Sequence, residues 1–194
     1  MEVKWLKRIY GNWDLGFALD KHTISSTPAG LNEWGHTIWD TKRTDAGEAL
    51  YQLKYKHDWS QIAPLAAQMV TSICHQYFSD IGFIVPMPAS KARERQPVYE
   101  LAGEIGRILE RPVFTNILSK APTGQALKDI GSKDDRAKEL AGKILLHDTI
   151  TPQGRWNVLL VDDRYDTGAS LEAATAVLRT YSKVAKIYVV TATW

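Results

Sequence analysis

Two adjacent acids, Asp162 and Asp163, follow four apolar residues in the stretch VLLVDDRYDTGAS, and a third acid, Asp166, precedes Thr167, Gly168, Ala169 and Ser170. Neighbouring carboxylates repel, so holding both ionised at the end of an apolar segment requires a cation or hydroxyl donors. A hydrated Mg²⁺ or the adjacent hydroxyls of a sugar would meet that need. The small residues beyond them let successive backbone N–H groups turn inward and hold a phosphate at the start of a helix. Thr167 and Ser170 add hydroxyl donors. The plainer reading is an exposed strand end with Ser170 as an ordinary helix cap. The order of apolar strand, acid pair, small-residue turn and helix within one short stretch favours a site for a phosphorylated sugar.

The elements that must position this stretch follow from periodicity. Residues 156–161 read as a strand, Leu171, Ala174, Val177 and Leu178 share one face of the following helix, and KIYVVTAT closes the chain as another strand. Upstream, GFIVPM is a short apolar run that enters a loop at its proline, followed by the charged loop SKARERQ. Pro97 suits a first helical turn, with Leu101, Ala102, Ile105, Ile108 and Leu109 forming the apolar stripe. A brief strand falls near Val113. Asp45 with Glu48 has the form of an N-terminal cap for a helix carrying Ala46, Ala49, Leu50 and Leu53. Ser60 opens a second helix, and Cys74 lies on its apolar stripe, which assigns the thiol to core packing. KAPTGQALKDIGSKDD reads as a mobile loop with a helix from Ser132.

Apolar runs without strict alternation, separated by amphipathic helices, predict an α/β fold with a parallel sheet covered on both faces. The first forty residues differ, being rich in Trp, Thr and Ile, and predict a small antiparallel flap. The chain is thus divided into a β-rich flap or hood over residues 1–43 and an α/β domain over residues 44–194. The tryptophans at 5, 13, 34, 39 and 59 form the core of that flap in the simplest reading, with cover for a base or a partner surface as the other.

Composition narrows the function further. With 24 basic and 22 acidic side chains, the formal charge of +2 argues for neither nucleic acid nor a membrane surface, so any acidic ligand must be held locally. No apolar run approaches the ~18 residues of a membrane span, and the N-terminus lacks a signal-peptide core, so a soluble, cytoplasmic protein is expected. The single cysteine excludes an internal disulfide framework and a Cys-rich zinc site. His22, His36, His57, His75 and His147 are dispersed, without metal-ligand spacing, and read as surface or packing residues.

VLLVDDRYDTGAS resembles the phosphoribosyl-pyrophosphate (PRPP) signature of type I phosphoribosyltransferases. ALYQLKYK, IVPMPASKARER and TGQ with a later Arg136 resemble, in the same order, the ComF-type branch of that family, so that residues 48–193 are covered. The branch's usual N-terminal Cys-rich zinc module has no counterpart here. The resemblance implies a mostly parallel central sheet flanked by helices, and a Mg²⁺-dependent reaction in which a nitrogen nucleophile, such as a purine-type base, displaces pyrophosphate from PRPP.

Residue by residue, the resemblance assigns Asp162 and Asp163 to the ribose hydroxyls and hydrated Mg²⁺. It assigns Asp166, Thr167, Gly168, Ala169 and Ser170 to the 5′-phosphate. Met87, Pro88, Ala89, Ser90, Lys91 and Arg93 match the pyrophosphate loop, with Arg95 a further cation beyond it. Residues 123–136 match the flap that closes over the reacting sugar. Asp166 is either a general base toward the acceptor or a cap of its loop. Arg164 and Tyr165 depart from the aliphatic pair that the pattern favours. Arg164 is expected to turn toward solvent, the acids or a phosphate, and Tyr165 to stack on a base or fill the gap beneath the loop. The expected partners are PRPP and a nucleobase or other nitrogen acceptor. Single-stranded DNA, a protein partner and a homodimer stay open. The alternative functions are a non-catalytic PRPP- or nucleotide-binding regulator and a ComF-like accessory protein in DNA uptake.

Overall fold

A computed structural model describes residues 1–89, 94–122, 130 and 132–194. Its strands are β1 (Lys7–Arg8), β2 (Leu15–Asp20), β3 (Thr23–Leu31), β4 (Thr37–Arg43), β5 (Ile81–Pro86), β6 (Leu118–Lys120), β7 (Ile144–Leu146), β8 (Trp156–Arg164) and β9 (Val184–Thr193). The helices are α1 (Asp45–Tyr55), α2 (Ile62–Met69), α3 (His75–Tyr77), α4 (Pro97–Leu109), α5 (Lys133–Leu140) and α6 (Ala169–Arg179).

The central sheet has the order β1-β2-β9-β8-β5, and only the edge strand β1 runs antiparallel to its neighbour. The fold is therefore α/β with a mostly parallel sheet, as its unbroken apolar runs predict. Both faces of those runs are buried, which is why they show no polar alternation. Leu159 and Val161 point into a core with Leu50, Leu53, Leu65, Met69, Leu101 and Ile105 from α1, α2 and α4. Val158 and Leu160 point the other way, against Leu171, Ala174 and Leu178 of α6. No helix among the described residues is long and apolar enough to cross a membrane.

Several local boundaries differ from the sequence reading. The cap of α1 is Thr44, not Asp45: its hydroxyl accepts from the Gly47 N–H at 3.0 Å and donates to the Lys21 carbonyl at 2.5 Å. Asp45 and Glu48 instead occupy the first turn, where negative charge favours the helix dipole. Asp58, not Ser60, opens the next helical segment, accepting from the Ser60 N–H and hydroxyl and so stabilising a 3₁₀ turn ahead of α2. Cys74 is buried in the π turn between α2 and α3, and burial pushes its thiol up to about 12, as suits a packing residue.

The region 1–43 divides between two sheets. β3 and β4 form the expected antiparallel hairpin, but LGFALD is buried almost throughout and joins the parallel sheet beside β9 as β2. The tryptophans do not form a flap core, because a two-stranded sheet has no layer packed over it. Trp13 is buried against the α6 side of the main core, whereas Trp34 and Trp39 are exposed. The antiparallel pair of β6 and β7, which α5 separates in sequence, has three-residue strands, too brief to show a period.

At Gly47 a β-carbon would run into the His22 carbonyl, so α1 approaches the end of β2 more closely than any other residue type permits. Gly47→Ala is expected to cost at least ~1–3 kcal/mol. Urea unfolding checks this, and unchanged stability would show that α1 is held less closely.

Candidate functional site

The carboxyl ends of β2, β9, β8 and β5 point the same way, so residues far apart in sequence meet at one rim of the sheet. Asp162 and Asp163 end the buried run of β8, and the Asp163 N–H donates to Asp162 Oδ1 at 2.8 Å. Both are half-buried. The stretch then turns under Gly168, whose φ of 83° is left-handed and which caps α6. A cavity of about 340 Å³ is lined by Asp162, Asp163, Arg164 and Arg136 together with residues 166–171. At the start of α6 the Ala169 N–H donates to Thr167 Oγ1 at 3.4 Å, and a helix N-terminus of this kind favours an anion. The acid pair and the expected phosphate loop thus form parts of one wall. A second cavity of about 270 Å³, lined by Phe83, Phe114 and Trp156 among others, has no charged lining residue.

Burial, followed by repulsion from Asp163, pushes the Asp162 carboxyl up to about 7. The Asp163 N–H, Lys54 and Lys120 act in the opposite sense. Lys54 Nζ is 2.6 Å from Asp163 Oδ2, an ion pair delivered from the last turn of α1. Lys120 reaches the Asp162 field from β6, and burial lowers its own pKa. His22 lies where β2 leads into the hairpin, with Nδ1 3.5 Å from the Thr193 hydroxyl. Burial, then the charges of Arg164, Arg43 and Lys54, push it down to about 4, so it is neutral at pH 7. No motif singles out His22 or Lys120. Lys54 lies in ALYQLKYK, a segment that carries the ComF-type resemblance, one residue past the buried Leu53, but the resemblance assigns it no role.

Asp166 neither caps its loop nor stands free. Its carboxylate forms an ion pair with Arg136 of α5, whose Nε donates to the Ile130 carbonyl. The adjacent Lys133 pairs with Glu172 at 2.7 Å and so ties α5 to α6. Tyr165 lies beneath the loop, edge-on to Trp13 with ring centroids 6.5 Å apart, and a β-carbon at Gly168 would be 3.1 Å from its ring. The ring fills the gap under the loop. Arg164 is exposed and borders the cavity.

At the end of β5, Met87 and Pro88 are buried and Ala89 is half-buried. The Met87 N–H donates to the Val161 carbonyl and the Ala89 N–H to the Tyr99 hydroxyl, so these residues carry the strand to the rim beside the acid pair. Ser90, Lys91 and Arg93 lie outside the described residues, as do residues 123–129 and 131 of the expected closing flap. Arg95 is engaged elsewhere, paired with Glu100 at 2.6 Å and stacked 4.1 Å over the Trp59 ring.

Two adjacent carboxylates are the hard oxygen donors that Mg²⁺ takes. Among the described residues, however, no group of three His, Cys, Asp or Glu side chains converges, and Lys54 already holds Asp163. Two carboxylates, one of them paired with Lys54, would hold Mg²⁺ only together with waters or a substrate's phosphates.

No family model matches the chain. It is similar to the competence protein ComFC of Bacillus subtilis, with 25% identity over 140 residues, which are 72% of this chain and 56% of that protein. The chain thus spans just over half the length of that relative. Among solved structures, adenine phosphoribosyltransferase from Saccharomyces cerevisiae aligns with a TM-score of 0.44 and 15% identity, covering 86% of this chain and 82% of that one. The adenine phosphoribosyl transferase of Trypanosoma brucei aligns at 0.43 and 11%, covering 98% and 87%.

The two shifted groups give opposing pH dependences. Asp162, raised from 3.8 to about 7, favours the folded state at low pH and loses that contribution as pH rises between those values. His22, lowered from 6.5 to about 4, favours the folded state at higher pH and loses that contribution as pH falls through this window. Urea unfolding across pH 4–7 is therefore expected to show stability rising with pH in Asp162→Asn and falling with pH in His22→Asn. Parallel profiles for the two variants would contradict these assignments.

Proposed function

We propose that the chain binds PRPP and transfers its phosphoribosyl group to a nitrogen acceptor. The observation that carries this reading is that the acid pair and the left-handed loop before α6 line one cavity. A ribose 5-phosphate offers the matching pair of groups, adjacent hydroxyls and a phosphate. Similarity to ComFC adds support over most of the chain.

In this reading Asp162 and Asp163 accept hydrogen bonds from the two ribose hydroxyls. The N–H groups of residues 167–170 and the Thr167 and Ser170 hydroxyls hold the 5′-phosphate. Arg164 and Arg136 supply positive charge at the cavity edge. The bond from the anomeric carbon to pyrophosphate breaks, the acceptor nitrogen bonds to that carbon, and the nitrogen gives up its proton. Lys91 and Arg93 are the cations assigned to the departing pyrophosphate. Mg²⁺ enters as part of the substrate, complexed by PRPP's own phosphates.

A second reading, a PRPP-binding regulator without turnover, is favoured by one observation: the carboxylate of Asp166 is committed to Arg136. A general base needs a free carboxylate within reach of the acceptor.

Incubation with PRPP, Mg²⁺ and a panel of bases is expected to release pyrophosphate. The double variant Asp162→Asn, Asp163→Asn should lower kcat/KM at least about a hundredfold, because each hydrogen bond to a charged group is worth ~1.5–3 kcal/mol. PRPP binding without release would support the regulator, and no binding would defeat both readings. Asp166→Asn separates the roles of that residue. Loss of kcat with a changed pH profile marks a base, whereas a raised KM for PRPP with kcat kept marks a holder of Arg136.

A further inference from the structure

Two carboxylates at the end of a buried strand need a positive charge nearby, and among the described residues no third His, Cys, Asp or Glu joins them. The chain brings its own cation instead. Lys54 Nζ lies 2.6 Å from Asp163 Oδ2, with the lysine side chain 30% exposed and the aspartate side chain 19% exposed. This is not a wandering surface contact, because the backbone that carries Lys54 is fixed from several sides. Leu50 and Leu53, one turn and one residue before it, are each 1% exposed in the main core. Gly47 seats α1 against the His22 carbonyl, and Thr44 bonds the Lys21 carbonyl as it caps the helix. Among the other basic groups around the acids, Lys120 acts on the other carboxylate, Asp162. Arg136 pairs with Asp166, and Arg43 pairs with Glu48 and stacks on the Tyr51 ring.

Resting on the PRPP reading above, we infer that Lys54 is the resident counter-cation of the acid pair, a positioning residue that holds Asp163 oriented for a ribose hydroxyl without a divalent ion. Lys54 neutralises one of the two adjacent charges and fixes one oxygen of Asp163, leaving Oδ1 to face the sugar. The Asp163 N–H, bonded to Asp162 Oδ1, couples the second carboxylate to the same arrangement. Removing the ammonium leaves Asp163 without the partner that orients it, so the pair holds a bare diol less well and becomes a better site for Mg²⁺. The substitution therefore converts metal-independent sugar binding into metal-dependent binding. A lysine that merely stabilised the fold would not move that dependence.

The test is calorimetric titration of the full chain with ribose 5-phosphate, in EDTA and again with Mg²⁺. The wild type is expected to bind in EDTA within about threefold of its affinity in Mg²⁺. Lys54→Met should lose about tenfold or more in EDTA, as loss of the charged hydrogen bond from a ribose hydroxyl to a disordered Asp163 implies, and recover most of it with Mg²⁺. Lys54→Arg should keep metal-free binding. Circular dichroism melts establish that each variant is folded, and should Lys54→Met fail to fold, the same comparison is made with Lys54→Gln. Wild-type binding that requires Mg²⁺, or binding in EDTA that the substitution leaves unchanged, overturns the inference while the PRPP reading stands. Absence of binding by the wild type in both conditions overturns the PRPP reading and this inference with it.

Discussion

Holding two like charges at the end of a buried strand is the constraint around which this molecule is organised. Asp162 and Asp163 emerge from an apolar run whose faces are both covered, and both are half-buried there. The surrounding groups answer that problem in several ways. Lys54 supplies a full charge to Asp163, the Asp163 N–H bonds Asp162, and Lys120 adds its field. His22 stays neutral among Arg164, Arg43 and Lys54, so the cationic side is not overloaded. Asp166 has a counter-charge of its own in Arg136.

The fold places these charges without special devices. Parallel pairing of β2, β9, β8 and β5 puts four carboxyl ends on one rim, and chain segments separated by more than a hundred residues meet there. His22 follows β2, Lys54 ends α1, Met87 extends β5, and the acids end β8. Packing close by fixes the rim: Leu53 beside Lys54, Val161 beside Asp162, and the Tyr165 ring beneath Gly168. The buried core thus sets the geometry, and the polar rim inherits it.

The acid pair and the loop of Asp166 to Ser170 were legible in the sequence because they are contiguous, and contiguous residues at a strand-to-helix turn have little freedom in where they go. The parallel sheet was legible for a related reason, since runs such as VLLV have no polar alternation when both faces are covered. The charges that answer the acids were not. Lys54 and Asp163 are brought together only by tertiary packing, and nothing in the spacing of ALYQLKYK marks its lysine over any other. The pair of Arg136 and Asp166 is equally long-range, and it gives Asp166 a partner that local reading could not supply. β2 was hidden in a stretch whose tryptophans and threonines suggest a flap, although LGFALD itself is an apolar run of the buried kind. The cap of α1 shifted by one residue because Thr44 and Asp45 are both good caps, and a tertiary bond to the Lys21 carbonyl decides between them.

The proposed role requires the acid pair and the loop before α6 to hold one phosphorylated sugar between them. A crystal structure with ribose 5-phosphate bound is the sharpest test. The phosphate is expected on the backbone N–H groups of residues 167–170 and the two ring hydroxyls on Asp162 and Asp163. Sugar bound elsewhere, or a phosphate on that loop with its hydroxyls turned away from the acids, would contradict it.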